Sequence, residues 1–501
     1  MGFTGKPSRG CEVCRRRRIK CDEALPGCSH CAKRQIVCPG YRSQFDVAWR
    51  NQNFVAEHAV LRRKKAIDKA DRDGAARTQV ERHAYSKIPK SLPQDYEQYA
   101  INFFLSSYIL LPKDPGVRRG LLDCLYPVWT QIYSTSPLKP ALTAVASCML
   151  EGWSRLRPDI SVSLSRKHYV KGVAALREAL EENKDIGDDV LLASLMLDMY
   201  EEVVSFMTGT RSFSPHVHGT ASLIAQRRRQ PVNNKTSQRV LLGARSQVVT
   251  RVLANAQPSP FDPSEWSDVT HYVLETPALI LDDLNIDVAN IHAAASCLNS
   301  KITQRDLAWE ILQTTIELDQ RLLAWASSTA PVEWMPVRVA GPECIPQGVR
   351  DAGLYHEYCH VHKSIFVTGT LNIYSTSRIK LQLAILACLD HLGIASSDAA
   401  RVTALEIIQD LADNVCASVP FHLGNRTEPS RIDDKSVQYP HIAGIRVPDH
   451  HYAAAAAFGG YLLTRPLVEV LTARCPLRTG QREWIGGQMQ RLKQIYAIRP
   501  I

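Results

Sequence analysis

The chain has 501 residues, 45% of them hydrophobic and 22% charged, which is enough apolar material for a large folded core and excludes a disordered polymer. Its formal net charge of +10 is unevenly spread: residues 1–90 carry 21 Lys or Arg against 9 Asp or Glu, a surplus of +12, while the remainder, with 39 basic and 41 acidic side chains, sums to −2. A basic head on a near-neutral body points to a polyanionic partner for the head, because clustered cations raise both affinity and encounter rate.

In chain order, the first segment, "MGFTGKPSRG", lacks the apolar stretch of a secretory signal, and Lys6 stands where an N-myristoylation signal needs Ser or Thr. The most apolar text, "YAAAAAFGGYLL" from Tyr452, is too short to span a bilayer, so the expectation is a soluble intracellular protein with no membrane partner. In a reducing compartment, closely spaced cysteines are better metal ligands than disulfides.

Residues 11–38 read "CEVCRRRRIKCDEALPGCSHCAKRQIVC". Cysteines at 11, 14, 21, 28, 31 and 38 spell C-x2-C-x6-C twice, the second copy 17 residues after the first. Tetrahedral zinc takes four donors, so six thiolates satisfy two ions only if two sulfurs bridge both. Pseudo-symmetry nominates the leading cysteine of each copy. Two Zn²⁺ per chain would then be held by Cys11, Cys14, Cys21 and Cys28, and by Cys28, Cys31, Cys38 and Cys11. Six thiolates and two such ions leave a formal −2, which nearby cations stabilise. The run Arg15 to Lys20 exceeds that need, and its surplus faces something else.

This stretch resembles the fungal binuclear zinc cluster (Zn2Cys6) DNA-binding domain, with Pro26 in the loop between the copies. The resemblance implies a short helix leaving each CxxC, the first presenting its carboxyl end to the major groove. Arg15, Arg17 and Lys20 agree with the common pattern C-R-x-R-K-x-K-C, and Arg18 stands where a base-reading lysine is usual. Arginine forks onto guanine O6 and N7, so a G-rich triplet such as CGG stays within reach. Arg16, Lys33 and Arg34 are expected on phosphates. The implied partner is double-stranded DNA, with a homodimer and the transcription machinery or co-regulators as further partners, in the nucleus.

Residues 41–94 are polar and basic and read as a largely disordered linker with a helix around Phe54 to Lys69. Phe54 and Leu61 are seven apart, but Asp68 breaks the heptad, so no dimerising coiled coil is supported here. Arg62 to Lys65, with Arg15 to Lys20, could serve nuclear import, and a solvated helix face is an equal reading.

From Asp95 to residue 501 the text is that of an all-α domain. Tyr169, Val173, Leu176 and Leu180 form an apolar stripe, and Asp188 or Asp189 suits a helix start. Further helices read from "PALTAVASCMLEGW", "DLAWEILQTTIELDQRLLAWAS", "SRIKLQLAILACLDHL" and "TALEIIQDLADNVCASV", and alternating β-type runs are scarce. "LILDDLNIDVANI" from Leu279 mixes acidic and apolar residues as an activation segment does, but reads better as a surface helix of the bundle, and the eight cysteines beyond the cluster read as small buried side chains. The body resembles the second type of fungal-specific transcription factor domain, through Tyr169 to Glu201, His218-Gly219 leading into "TASLIAQR", "LNIYSTSRIKL" from Leu371, and "REWIGGQMQRLKQIYAI" from Arg482. His218 and Arg378 read as packing or capping residues.

The fold class expected is therefore a small Zn2Cys6 cluster domain (1–40), a linker (41–94) and a large all-α regulatory domain (95–501). The function expected is a zinc-dependent, CGG-reading regulator of RNA polymerase II transcription, pathway-specific, and not an enzyme. In the resembled family a specialised or secondary-metabolite gene cluster is a common target, and nothing in the sequence identifies one. Two other classes stand beside it. One is a zinc-cluster scaffold that binds proteins. The other is a metalloprotease through "HEYCH" (His356, Glu357, His360), a literal H-E-x-x-H that lacks a third ligand and reads better as part of a helix.

Overall fold

Helix-forming text starts where the linker stops, and the contacts divide the chain at the same place, into Met1–Pro93 and Gln94–Ile501. The computed structural model describes residues 10–41 and most of 95–495; residues 1–9, 42–94, 496–501 and short internal stretches, the longest being 209–215 and 262–274, lie outside it. The linker helix around Phe54 and the Arg62 to Lys65 run therefore fall outside the described residues.

Among its described residues the first unit has two short helices, α1 (Glu12–Arg16) and α2 (Ser29–Ala32). The buried hydrophobic cluster of these residues is the cysteines 11, 14, 28 and 31, with Val13, Cys21, Cys38 and Tyr41 against them. A core of thiols is no hydrophobic core, so this segment depends on something that binds sulfur.

The second unit is helical apart from one two-stranded sheet among its described residues. It opens with α3 (Tyr96–Tyr108), whose N-cap Asp95 accepts hydrogen bonds from the backbone N–H groups of Glu97 and Gln98 at 3.0 and 3.3 Å. There follow α4 (Leu122–Trp129), α5 (Leu138–Trp153), α6 (Pro158–Glu182), α7 (Asp188–Thr208), α8 (His216–Arg228), α9 (Lys235–Ala254), α10 (Pro277–Ser296) and α11 (Arg305–Ala324). Then come β1 (Val337–Ala340), α12 (Gln347–Asp351), β2 (Tyr358–Val361), α13 (Ile365–Leu392), α14 (Ala399–Leu423), α15 (Asp449–Thr472) and α16 (Gln481–Ile495).

The helix α13 is the central member, packed against α10, α11, α14 and α15, with 20 of its 28 residues buried. Ser364 caps its start onto the Val367 N–H at 3.3 Å, and Gly393 closes it at φ 71°, a left-handed conformation that favours glycine. Its polar side chains are each assigned to a different neighbour. Arg378 forks onto Asp319 of α11 at 2.7 and 2.8 Å, Ser377 bonds Asn285 of α10 at 2.6 Å, Asn372 donates to Ser418 of α14 at 3.1 Å, and Lys380 reaches Glu469 of α15 at 2.5 Å. Buried polar groups so matched fix which helix lies where.

Several sequence-based expectations change. The apolar stripe of α6 is offset: Leu176 is buried and Tyr169 stacks on Tyr200 at 4.8 Å, but Val173 and Leu180 are exposed. The buried face runs through Ser165, His168, Gly172 and Leu176, because Gly172 lets α6 come against Ala141 of α5, where a Cβ would meet backbone at 3.2 Å. The "LILDDLNIDVANI" helix is interior, not surface: in α10 even Asp282 is buried, held by Arg119 at 3.0 Å. Cys297 is exposed, whereas the other seven cysteines of this unit are buried. Arg378 packs as expected, but His218 is exposed in the first turn of α8 and does not pack.

The "HEYCH" stretch is no helix. It leads into β2, which pairs antiparallel with β1, placing His360 opposite Arg338 and Cys359 opposite Val339. The Tyr358 ring stands between the two imidazoles, 4.7 Å from His356 and 5.8 Å from His360, and neither histidine belongs to a group that could hold a metal among the described residues. His356 instead stacks on Tyr358 at 4.7 Å and faces Asp413 at 3.5 Å. Tyr358, Cys359 and Val361 suit a pleated strand, and that preference outweighs the motif.

A candidate metal centre and nucleic-acid interface

Each CxxC begins a helix with its own first cysteine as N-cap. Cys11 Sγ accepts the Cys14 N–H at 3.5 Å, and Cys28 Sγ accepts the Cys31 N–H at 3.4 Å. Both sulfurs thus sit at a helix start, each accepting a backbone N–H of its own first turn. The pseudo-symmetry continues through the outer cysteines. Backbone N–H groups of Cys11 and Glu23 donate to Cys21, and those of Cys28 and Gly40 donate to Cys38.

The chain folds so that all six sulfurs meet. Cys11, Cys14, Cys21 and Cys28 form one group and Cys11, Cys28, Cys31 and Cys38 another, the atoms of each lying within 4.8 Å of one another. Cys11 and Cys28 belong to both. Their sulfurs are 3.7 Å apart, Cys14 is 3.7 Å from Cys28, and Cys31 is 3.8 Å from Cys11. A Zn–S bond of about 2.3 Å gives a tetrahedral edge of about 3.8 Å, so these separations fit a tetrahedral zinc site. Among the described residues, no other group of three or more His, Cys, Asp or Glu side chains comes so close.

Crowded sulfurs differ in how readily they ionise. Burial, then the neighbouring thiols, pushes Cys31 up to about 12 and raises Cys14 further. At Cys38 the N–H donors of Cys28 and Gly40 dominate and bring it down to about 7. Burial opposes ionisation of Cys21, but the donors from Cys11 and Glu23 outweigh it and lower its pKa. Asp22 ties the loop to the second copy, its carboxylate accepting the Ser29 N–H at 3.2 Å; the Ser29 side chain first, and that N–H after it, hold its pKa low.

Around this centre Arg16, Arg17, Arg18, Lys20, Lys33 and Arg34 are exposed. Arg15 is half-buried and donates from Nη1 to the Gly10 carbonyl at 2.9 Å, so it braces the chain entering the cluster. Arg18 lies beyond the carboxyl end of α1, at φ 57°. Between the copies opens a cleft of about 460 Å³ lined by Val13, Cys14, Arg17 and Ile19 and their partners 17 residues on, His30, Cys31, Arg34 and Ile36. Spacing alone found the sulfurs and the cations; the N–H donors to sulfur and the role of Asp22 depend on backbone turns that spacing does not encode.

These observations define a class: a cysteine-built metal centre with a cationic surface, carried by a chain with a large helical domain. Residues 9–46 match the fungal Zn(2)-Cys(6) binuclear cluster domain. Transcription factor dbaG of Emericella nidulans is 21% identical over 347 residues, 67% of this chain and 76% of that protein, a span that must reach well into the helical unit. Transcriptional regulatory protein moc3 of Schizosaccharomyces pombe is 51% identical over 43 residues, 8% of each chain. No solved structure matches. Residues 9–46 thus carry a cluster of the fungal Zn2Cys6 kind, and the chain is similar to fungal transcription regulators.

Proposed function

We propose that this chain is a zinc-dependent, sequence-specific DNA-binding regulator of RNA polymerase II transcription that acts in the nucleus on the genes of one pathway. Two Zn²⁺ are held by the six cysteines, Cys11 and Cys28 bridging, and supply the cross-links that a segment without a hydrophobic core lacks. Arg18 reads a G-rich triplet of the CGG kind from the major groove. Arg16, Arg17, Lys20, Lys33 and Arg34 contact phosphates and set the register, while Arg15 braces the frame. The helical unit is the regulatory domain, through which co-regulators and a second copy of the chain are engaged, and no catalysis is assigned to it. Among the described residues no helix is long and apolar enough to cross a membrane.

The observation that carries this reading is the overlap of two four-sulfur groups at Cys11 and Cys28 beneath an exposed basic run. Selection from a random DNA pool with the zinc-loaded full chain is the test. Enrichment of a G-rich triplet, with half-site spacing returned in the same data, is expected. A pool that stays random while the protein retains its zinc would favour a protein-binding scaffold instead.

A further inference from the structure

We propose that Gln35 is a second DNA-reading side chain, its amide engaging the edge of an A·T pair beside the G-rich triplet; this rests on the DNA-binding reading above. The two helices of the cluster end in the same way. The Ile19 N–H returns to the Cys14 carbonyl at 3.1 Å, and the Ile36 N–H to the Cys31 carbonyl at 3.2 Å. The residue before each, Arg18 at φ 57° and Gln35 at φ 56°, is left-handed. That position of a helix end is usually glycine, because any other L side chain crowds its own backbone there.

A second pair of left-handed residues shows the contrast. Glu23 at φ 54° and Gly40 at φ 81° are also 17 apart, and their N–H groups donate to Cys21 and Cys38. There the backbone turn itself has a purpose, and one of the two copies uses glycine. At 18 and 35 neither copy does, although both side chains are exposed. A strained, exposed side chain that glycine would replace without strain is retained for something outside the domain.

Placement and chemistry say what that is. The residues flanking Arg18, Arg17 and Ile19, and those flanking Gln35, Arg34 and Ile36, line one cleft, so positions 18 and 35 both lie beside it. Lys33 and Arg34 already offer charge to phosphates. Gln35 is neutral and presents one donor beside one acceptor, the pattern that matches adenine N6 and N7 in the major groove.

The test compares Gln35→Gly with the parent chain, zinc-loaded and full-length, using site selection and binding to the selected duplex, with Arg18→Gly in parallel. Gln35→Gly is expected to hold zinc against a chelator at least as well as the parent. It should bind the selected duplex about tenfold more weakly and lose a preference for A·T at one position outside the triplet. Unchanged affinity and preference would overturn the proposal. An equal loss on every duplex would also overturn it, leaving Gln35 a backbone contact. If the parent chain selects no sequence, or Arg18→Gly binds as well as the parent, the broader DNA reading fails first, which is a distinguishable result.

Discussion

Cys11 and Cys28 are the residues on which most rests, and their environment separates them from the other four cysteines. Each is fully buried, caps a helix, and belongs to both four-sulfur groups. Cys11→Ala is therefore expected to release both zincs from the full chain, read by metal analysis after desalting. Cys14→Ala removes a sulfur that belongs to one group and should retain one zinc under the same treatment. Equal retention by the two variants would overturn the bridging assignment. This much was legible in the sequence, because a repeat of six cysteines constrains its own connectivity: eight bonds from six sulfurs need two bridges, and symmetry names them. Gln35 was not legible. Nothing in "KRQIV" signals a left-handed backbone, which arises from how α2 has to end before Cys38 turns back to the sulfurs.

Among the elements, α13 commits Asn372, Ser377, Arg378 and Lys380 each to a different neighbouring helix, so single changes there are expected to be severe. Arg378→Ala would leave Asp319 buried and unpaired, both side chains being about 10% exposed or less, and should destabilise the helical unit by about 3–5 kcal/mol in chemical denaturation. Replacing the pair with Arg378→Met and Asp319→Leu together should cost much less, since no buried charge is then left alone. Helix existence was largely readable from apolar text: α5, α11 and α14 lie where the sequence places them, and α13 contains the stretch read as a helix from Ser377. The failures share a physical cause. In α10, acidic residues looked like a solvent face but are paired by arginines from distant segments, Asp282 with Arg119 and Asp283 with Arg245. At "HEYCH", strand pairing with residues 337–340 decided the conformation, and local text does not contain its partner.

Among the described residues of the helical unit, buried histidines contribute to its response to acid. His360, His422 and His451 are buried, and burial is the leading cause that lowers them to about 4, about 3 and about 3. Arg338 adds to this at His360, and Arg426 at the other two. An unfolded histidine takes up its proton near pH 6.5. Below that value the unfolded chain binds protons that the folded chain refuses, so stability is complete above pH 6.5 and falls as pH drops toward the folded values. The denaturation midpoint should decline between pH 6.5 and 5, above the range where carboxylates titrate, and His422→Leu should flatten that slope. A midpoint constant over this interval would refute the assignment. A different kind of consequence follows from the shared sulfurs. In terms of heredity, the two cysteine repeats cannot be lost, moved or exchanged singly, because neither copy owns a complete set of ligands. Change can accumulate between the cysteines, at Arg18 or Gln35, the positions proposed above to read DNA, while the six cysteines pass on as one indivisible unit.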